Sequence, residues 1–79
     1  MEVKIHGIIQ RYRGCKKIVE LVISRDETRE KQLVRLADDL TVNDGTIRAG
    51  LKKRLDRAPD NILIPRHIKA VNLRQEPVR

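Results

Sequence analysis

The spacing of apolar residues between Leu33 and Leu55 most constrains how this chain can fold. The segment reads LVRLADDLTVNDGTIRAGLKKRL. Its apolar residues form two sets at helical spacing, Leu33, Leu36, Ala37 and Leu40, followed by Ile47, Leu51 and Leu55. Residues that repeat every three or four positions lie on one face of a helix, and the stretch from Thr41 to Gly45 is rich in turn-forming residues. The pattern predicts two short helices joined by a tight turn.

Capping residues set the limits of these two helices. Ser24 and Glu27 have the spacing of a capping box, in which each side chain bonds to the backbone amide of the other residue. The first helix is therefore predicted to begin at Ser24 and to end near Leu40. Asn43 or Asp44 can cap the second helix, which is predicted to end before Pro59. The two-helix unit would span residues 24–58.

Residues 2–24 have the pattern of a β-hairpin. Apolar residues alternate in the first half, and the second half, KKIVELVIS, is rich in β-branched residues, which favour strands. Gly14 can adopt the positive φ of the turn between them. Ile18 and Val22 lie on the opposite face from Val19 and Leu21. We expect one face to pack on the helices and the other to be covered by the C-terminal segment or by a second subunit.

The C-terminal part, residues 61–74, fits either a short strand or a short helix, and a strand that joins the N-terminal sheet is slightly favoured. Residues 75–79 are expected to be a frayed tail. The 79 residues then form one small α+β domain, in which a hairpin packs on the two-helix unit. Phe and Trp are absent, so the core must consist of Ile, Leu and Val. Such a thin core is often completed by a partner.

The charge is positive and unevenly distributed. The formal net charge is +7. Residues 26–45 contain six acidic and three basic residues, whereas residues 46–79 contain nine basic and three acidic residues. A positive potential suits nucleic acid, anionic lipid or an acidic protein, although charge also keeps small proteins soluble. Tyr12 is the single aromatic residue, which argues against base stacking on single strands.

The segment LADDLTVNDGTIRAGLKKRL resembles the helix-turn-helix of bacterial and phage transcription regulators, including winged-helix types. The matching residues are a small residue on the first helix, two apolar residues beside the turn and the apolar anchor of the second helix, namely Ala37, Leu40, Val42 and Ile47. Thr41 stands where the family often has glycine, and Gly50 stands where it usually has a small apolar residue. The resemblance implies that the second helix enters the major groove of DNA.

That resemblance implies a set of contact residues. The expected base contacts are Asn43, Thr46, Arg48 and Lys52, with Arg48 reading guanine and Asn43 reading adenine or binding phosphate. The expected phosphate contacts on the helix are Lys53, Arg54 and Arg57. The hairpin turn is also basic, and its residues Arg13, Lys16 and Lys17 are further candidates for phosphate contact.

The sequence therefore predicts a DNA-binding transcription regulator that acts as a homodimer through the hairpin. One alternative is a small interaction module that docks on an acidic protein surface through the second hairpin face. Another is an RNA-binding protein that uses the basic hairpin. We expect no enzymatic activity, cofactor or metal, because His6, Cys15 and His67 are scattered and lack zinc spacing. A lone cysteine and the lack of a signal peptide or membrane span predict a cytoplasmic protein.

Overall fold

A computed structural model describes residues 1–26, 28, 30–68 and 70–74. The elements along the chain are β1 (Glu2–Arg13), β2 (Lys16–Arg25), β3 (Gln32–Arg35), α1 (Asp44–Arg54), β4 (Asn61–Leu63) and β5 (Ala70–Arg74). They form one mixed sheet in the order β3-β2-β1-β4, and β5 pairs with β1 further along the same edge as β4. β2 is antiparallel to β1 and β3, whereas β4 and β5 are parallel to β1.

The N-terminal hairpin is present where the sequence indicates it. β1 and β2 pair from Val3↔Arg25 to Arg13↔Lys16. Gly14 adopts a φ of 63° in the turn, a conformation that costs glycine little because it has no β-carbon. The register shifts between Ile5 and Gly7, so His6 forms a bulge in β1. The bulge changes which residues face inward, and Ile8 rather than Ile9 is buried in the second half of β1.

The first predicted helix, over residues 24–40, is wrong. Ser24 lies in β2, and its Oγ atom is 2.7 Å from Nε2 of His6. Residues 32–35 form β3, and the supposed helical stripe does not share one face, because Leu33 is 51% exposed whereas Leu36 is 1% exposed. Glu27, the other half of the predicted capping box, lies outside the described residues.

Backbone hydrogen bonding explains why a strand forms here. Without β3, the outer edge of β2 would leave its amide and carbonyl groups unpaired. β3 pairs with residues 20–23 of β2. The amide of Leu36 then donates to the carbonyl of Val19, and the amide of Asp39 donates to that of Lys17, each at 2.8 Å. These long-range bonds outweigh the local helix propensity of the segment.

The second predicted helix exists as α1, and it ends earlier than expected. It is capped by Asn43 and buries Ile47 and Leu51, followed by the C-cap residue Leu55. The helix ends at Arg54 rather than at 58. The part of the chain that the structure describes contains this single helix, with 11 residues, and no helix long and apolar enough to cross a membrane.

Over the described residues the fold is therefore mostly β, with one helix on a mixed sheet and without the predicted two-helix unit. The helix-turn-helix resemblance is wrong for the same reason, since residues 32–35, which would belong to its first helix, are a strand. Of the residues that matched the motif, Ile47 lies in α1, whereas Ala37, Leu40 and Val42 lie in the connection between β3 and α1, where Ala37 is exposed. Leu40 and Val42 are partly buried against the core.

The core lies between one face of the sheet and α1. It contains apolar residues of the hairpin, of the segment around β3, of α1 and of β4, including Val3, Leu21, Leu36, Leu51 and Ile62. On the other face of the sheet, Ile9, Ile18 and Val22 are half-buried. β5 pairs along the edge of β1. The homodimer with the hairpin as its interface stays a prediction. The predicted frayed tail, residues 75–79, lies outside the described residues.

Candidate nucleic-acid interface

The start of α1 carries two of the predicted base contacts, Asn43 and Thr46, and both side chains are used in the helix cap. The amide of Thr46 donates to Oδ1 of Asn43, and the amide of Asn43 donates to Oγ1 of Thr46, each at 2.9 Å. The Thr46 hydroxyl also donates to the carbonyl of Thr41 at 2.7 Å. A base contact by either side chain would have to break or share these bonds, which stabilise the helix.

Arg48, the predicted guanine contact, is also engaged within the protein. Its Nε atom lies 2.8 Å from Oδ2 of Asp44, one turn earlier in α1. Its Nη1 atom donates to the carbonyl of Ile62 in β4 at 3.4 Å. The side chain is 43% exposed and lines a cleft between α1 and β4. Arg48 therefore faces the β4 side of the molecule.

The last turns of α1 and the residues after it present four exposed cations, which we call the helix basic surface: Lys52, Lys53, Arg54 and Arg57. Ion pairs among the described residues involve none of these four side chains. Three of them lie in the last turn of the helix, where cations interact favourably with the partial negative charge of the helix dipole. Their charge is thus available to an external anion.

A cleft of about 360 Å³ continues this surface toward β2 and β3. Three arginines line it, Arg25, Arg35 and Arg54, together with one carboxylate, Asp56. The Nε atom of Arg25 is buried and has no hydrogen-bond partner in the described part of the chain. Arg25 is not among the contacts predicted from the sequence, because its proximity to Arg54 arises from packing between residues far apart in the chain.

The hairpin tip contains the other predicted phosphate contacts, and one of them, Lys16, is paired with a carboxylate. Nζ of Lys16 lies 3.0 Å from Oδ2 of Asp38, and Nη2 of Arg35 lies 3.0 Å from Oδ1 of the same residue. These hydrogen bonds, from Arg35 first and Lys16 second, hold the pKa of Asp38 below its usual value. Further down the hairpin, Nε of Arg11 lies 2.8 Å from Glu20.

The two basic regions lie at opposite ends of the sheet. Lys16 pairs with Arg13 at the tip, whereas Arg25, beside Arg54, pairs with Val3 at the other end. The 10 residues of β2 separate them by about 30 Å at ~3.3 Å per residue. The structure thus divides the predicted phosphate contacts into two groups.

Comparisons with known proteins give no relative from which to transfer a function. No protein-family model, no curated protein and no solved structure matches this chain. The geometry and charge of the described residues are therefore the basis for a functional proposal.

Proposed function

We propose that the protein binds duplex nucleic acid, with duplex DNA as the favoured form, by contacting phosphates through the helix basic surface. The observation that carries this proposal is the group of four exposed cations outside any ion pair in the described residues, next to a cleft lined by Arg25 and Arg54. Lys and Arg that neutralise phosphates release condensed counterions, and this release drives such binding.

Binding of this kind would depend little on base sequence. Asn43 and Thr46 bond to each other in the cap, and Arg48 lines a cleft beside β4 that none of the four cations lines. Phosphate contacts fix position on the duplex but carry no sequence information directly. A sequence-tolerant binder therefore fits the described contacts better than a reader of a specific operator.

The double-stranded form is favoured because single-strand binding usually needs aromatic side chains on which bases stack. Tyr12, the single aromatic residue, lies one residue before the tip residue Arg13 and thus far from the helix basic surface. One of the three predicted contacts at the tip, Lys16, is also paired with Asp38, whereas none of the four cations of the helix basic surface is paired within the described residues. These observations favour the helix basic surface over the hairpin.

A salt series with fluorescently labelled duplex DNA tests the proposal. Contacts to about four phosphates predict that log K falls with log salt at a slope of about −3.6. Lys53→Gln should reduce the magnitude of that slope by about 1 and weaken all sequences alike. Lys16→Gln is the matched control, since it removes one positive charge at the opposite end of the sheet.

Two results would overturn the proposal. One is the lack of duplex binding at low salt, and the other is an equal loss of affinity in Lys53→Gln and Lys16→Gln. The first result would favour the alternative of an acidic protein partner, and the second would indicate a diffuse response to net charge. The proposal places the protein in the cytoplasm, in agreement with the free, exposed thiol of Cys15.

A further inference from the structure

The outer edge of β1 contains a break in strand pairing. β1 pairs with β4 through Glu2–Lys4 and with β5 through Ile8–Tyr12. Seven positions separate Leu63 from Ala70, whereas four separate their partners Lys4 and Ile8, and residues 64–68, which include Pro65, leave the sheet as a loop. On the β1 side, the bulge at His6 lies opposite this loop. The two irregularities open the sheet at one place.

A cleft of about 730 Å³ occupies this break. Five polar residues line it, and all but one of them can carry positive charge: Lys4, His6, Arg48, Asn61 and His67. Its apolar lining includes Ile62, Ile64, Pro65 and Ile68. No carboxylate of the described residues lines the cleft. Its volume lies within the range of about 300–1,000 Å³ that is typical of small-molecule sites.

Arg48 is held at the edge of this cleft by the protein itself. Nε is bonded to Asp44, and Nη1 donates to the carbonyl of Ile62. A guanidinium has five N–H groups in a fixed plane, so several donors remain for a ligand. This fixed, forked group suits the oxygens of a phosphate better than a mobile surface lysine does.

We propose that this cleft binds a small phosphorylated ligand that also has an apolar or aromatic part. The phosphate lies at the polar side, where Arg48 and Lys4 carry positive charge and His67 adds a ring nitrogen. The apolar or aromatic part packs on Ile64, Pro65 and Ile68. The site is separate from the helix basic surface, whose four residues do not line the cleft.

Titrations of the whole protein with inorganic phosphate, phenyl phosphate and AMP test this site, followed by NMR of backbone amides and by calorimetry. Phenyl phosphate and AMP should bind at least tenfold more tightly than inorganic phosphate. The amides that shift should cluster at residues 4–6, 48 and 61–68. Arg48→Gln should weaken both organic ligands at least tenfold, whereas Lys31→Gln, which removes one exposed charge elsewhere, should not.

A second variant separates the apolar contribution. Ile64→Ser should weaken phenyl phosphate and AMP and leave the binding of inorganic phosphate unchanged. His67→Gln provides an independent probe of the polar side, should Arg48→Gln impair folding. A short oligonucleotide with a 5′-phosphoadenosine shows whether the cleft binds a nucleotide within a strand as well as a free ligand. Tight binding of either one supports the assigned chemistry.

Three results would overturn the inference. The first is binding of inorganic phosphate as tight as that of the organic phosphates. The second is an equal loss of affinity in Arg48→Gln and Lys31→Gln. The third is a set of shifted amides that lies outside the cleft. Each of them can be observed whether or not the protein binds duplex DNA, so the two proposals fail independently.

Discussion

A β-carbon added to Gly50 of α1 would lie 2.6 Å from Cδ2 of Leu36, the residue that follows β3. Leu36 is 1% exposed, so its side chain has little space into which to move. Gly50 is therefore the point at which the helix approaches the β3 side of the core, and the absence of a side chain there allows that approach. The glycine that departs from the helix-turn-helix pattern has a packing role in this fold.

Gly50→Ala should consequently destabilise the protein, by on the order of 1 kcal/mol. Overpacking of a core costs about 1–3 kcal/mol, whereas alanine gains about 1 kcal/mol over glycine in a helix interior. Urea unfolding measures the difference.

In a Leu36→Ala background, Gly50→Ala should instead stabilise the protein, because the close contact with Leu36 is gone and the higher helix propensity of alanine remains. A destabilisation of equal size in both backgrounds would show that Leu36 is not the cause.

Thr46→Val should lower the free energy of unfolding by about 1 kcal/mol, because it removes the hydroxyl that accepts from Asn43 and donates to Thr41. Thr46→Ser, which keeps the hydroxyl, is the control. Neither change should alter the affinity for duplex DNA measured under conditions where both variants are folded. A loss of affinity for DNA without a loss of stability would indicate that Thr46 contacts DNA.

Asp39 joins the loop after β3 to the hairpin. It adopts a φ of 57°, its amide donates to the carbonyl of Lys17 at 2.8 Å, and its Oδ1 accepts from the amide of Lys17 at 2.9 Å. Asp39→Ala should destabilise the protein by roughly 1–2 kcal/mol, since it removes the acceptor and strains the backbone. Asp39→Asn keeps an acceptor and tolerates positive φ, so its effect should be much smaller. Equal effects of both changes in thermal unfolding would contradict this role.

Asp38 should stabilise the protein at pH values above 3.8, its ordinary pKa, and this stabilisation should be lost in acid. Hydrogen bonds from Arg35 and Lys16 lower its pKa in the folded state. The unfolded chain therefore takes up a proton first as the pH falls, and stability decreases from just above 3.8 down through the folded pKa. Asp38→Asn should be less stable than the wild type at neutral pH, and the difference should close as the pH falls below 3.8. A difference that stays constant with pH would exclude the ion pairs as its source.

Parts of this fold could be predicted from sequence, because they depend on neighbours in the chain. The hairpin follows from alternation around Gly14, and α1 follows from the cap at Asn43 and the spacing of Ile47 and Leu51. The segment 32–40 could not be predicted in this way. Leu33 and Leu36 are three residues apart, a spacing that fits one face of a helix. The segment forms a strand because it pairs with the otherwise unpaired edge of β2.

The candidate site was predictable to a similar extent. The cations of the helix basic surface can be read from the charge of residues 46–79. The lack of ion pairs to these cations within the described residues cannot be read from the sequence. The pairing of Lys16 with Asp38 cannot either, because partners 22 residues apart meet only in the folded sheet. The cleft at the break in the sheet depends on the bulge at His6, which the alternating pattern of β1 does not show.

The position of β1 in the sheet has a consequence for the time course of folding. Its partners on one side, residues 61–63 and 70–74, are separated from it by most of the chain. Contacts between residues so distant in sequence slow folding, because closing the long intervening loop costs conformational entropy before the contacts stabilise the fold. During synthesis the hairpin can form before residues 61–74 have been made, and this edge of β1 is then unpaired. A nascent chain that stalls before residue 61 would therefore expose a long strand edge, which is a template for aggregation.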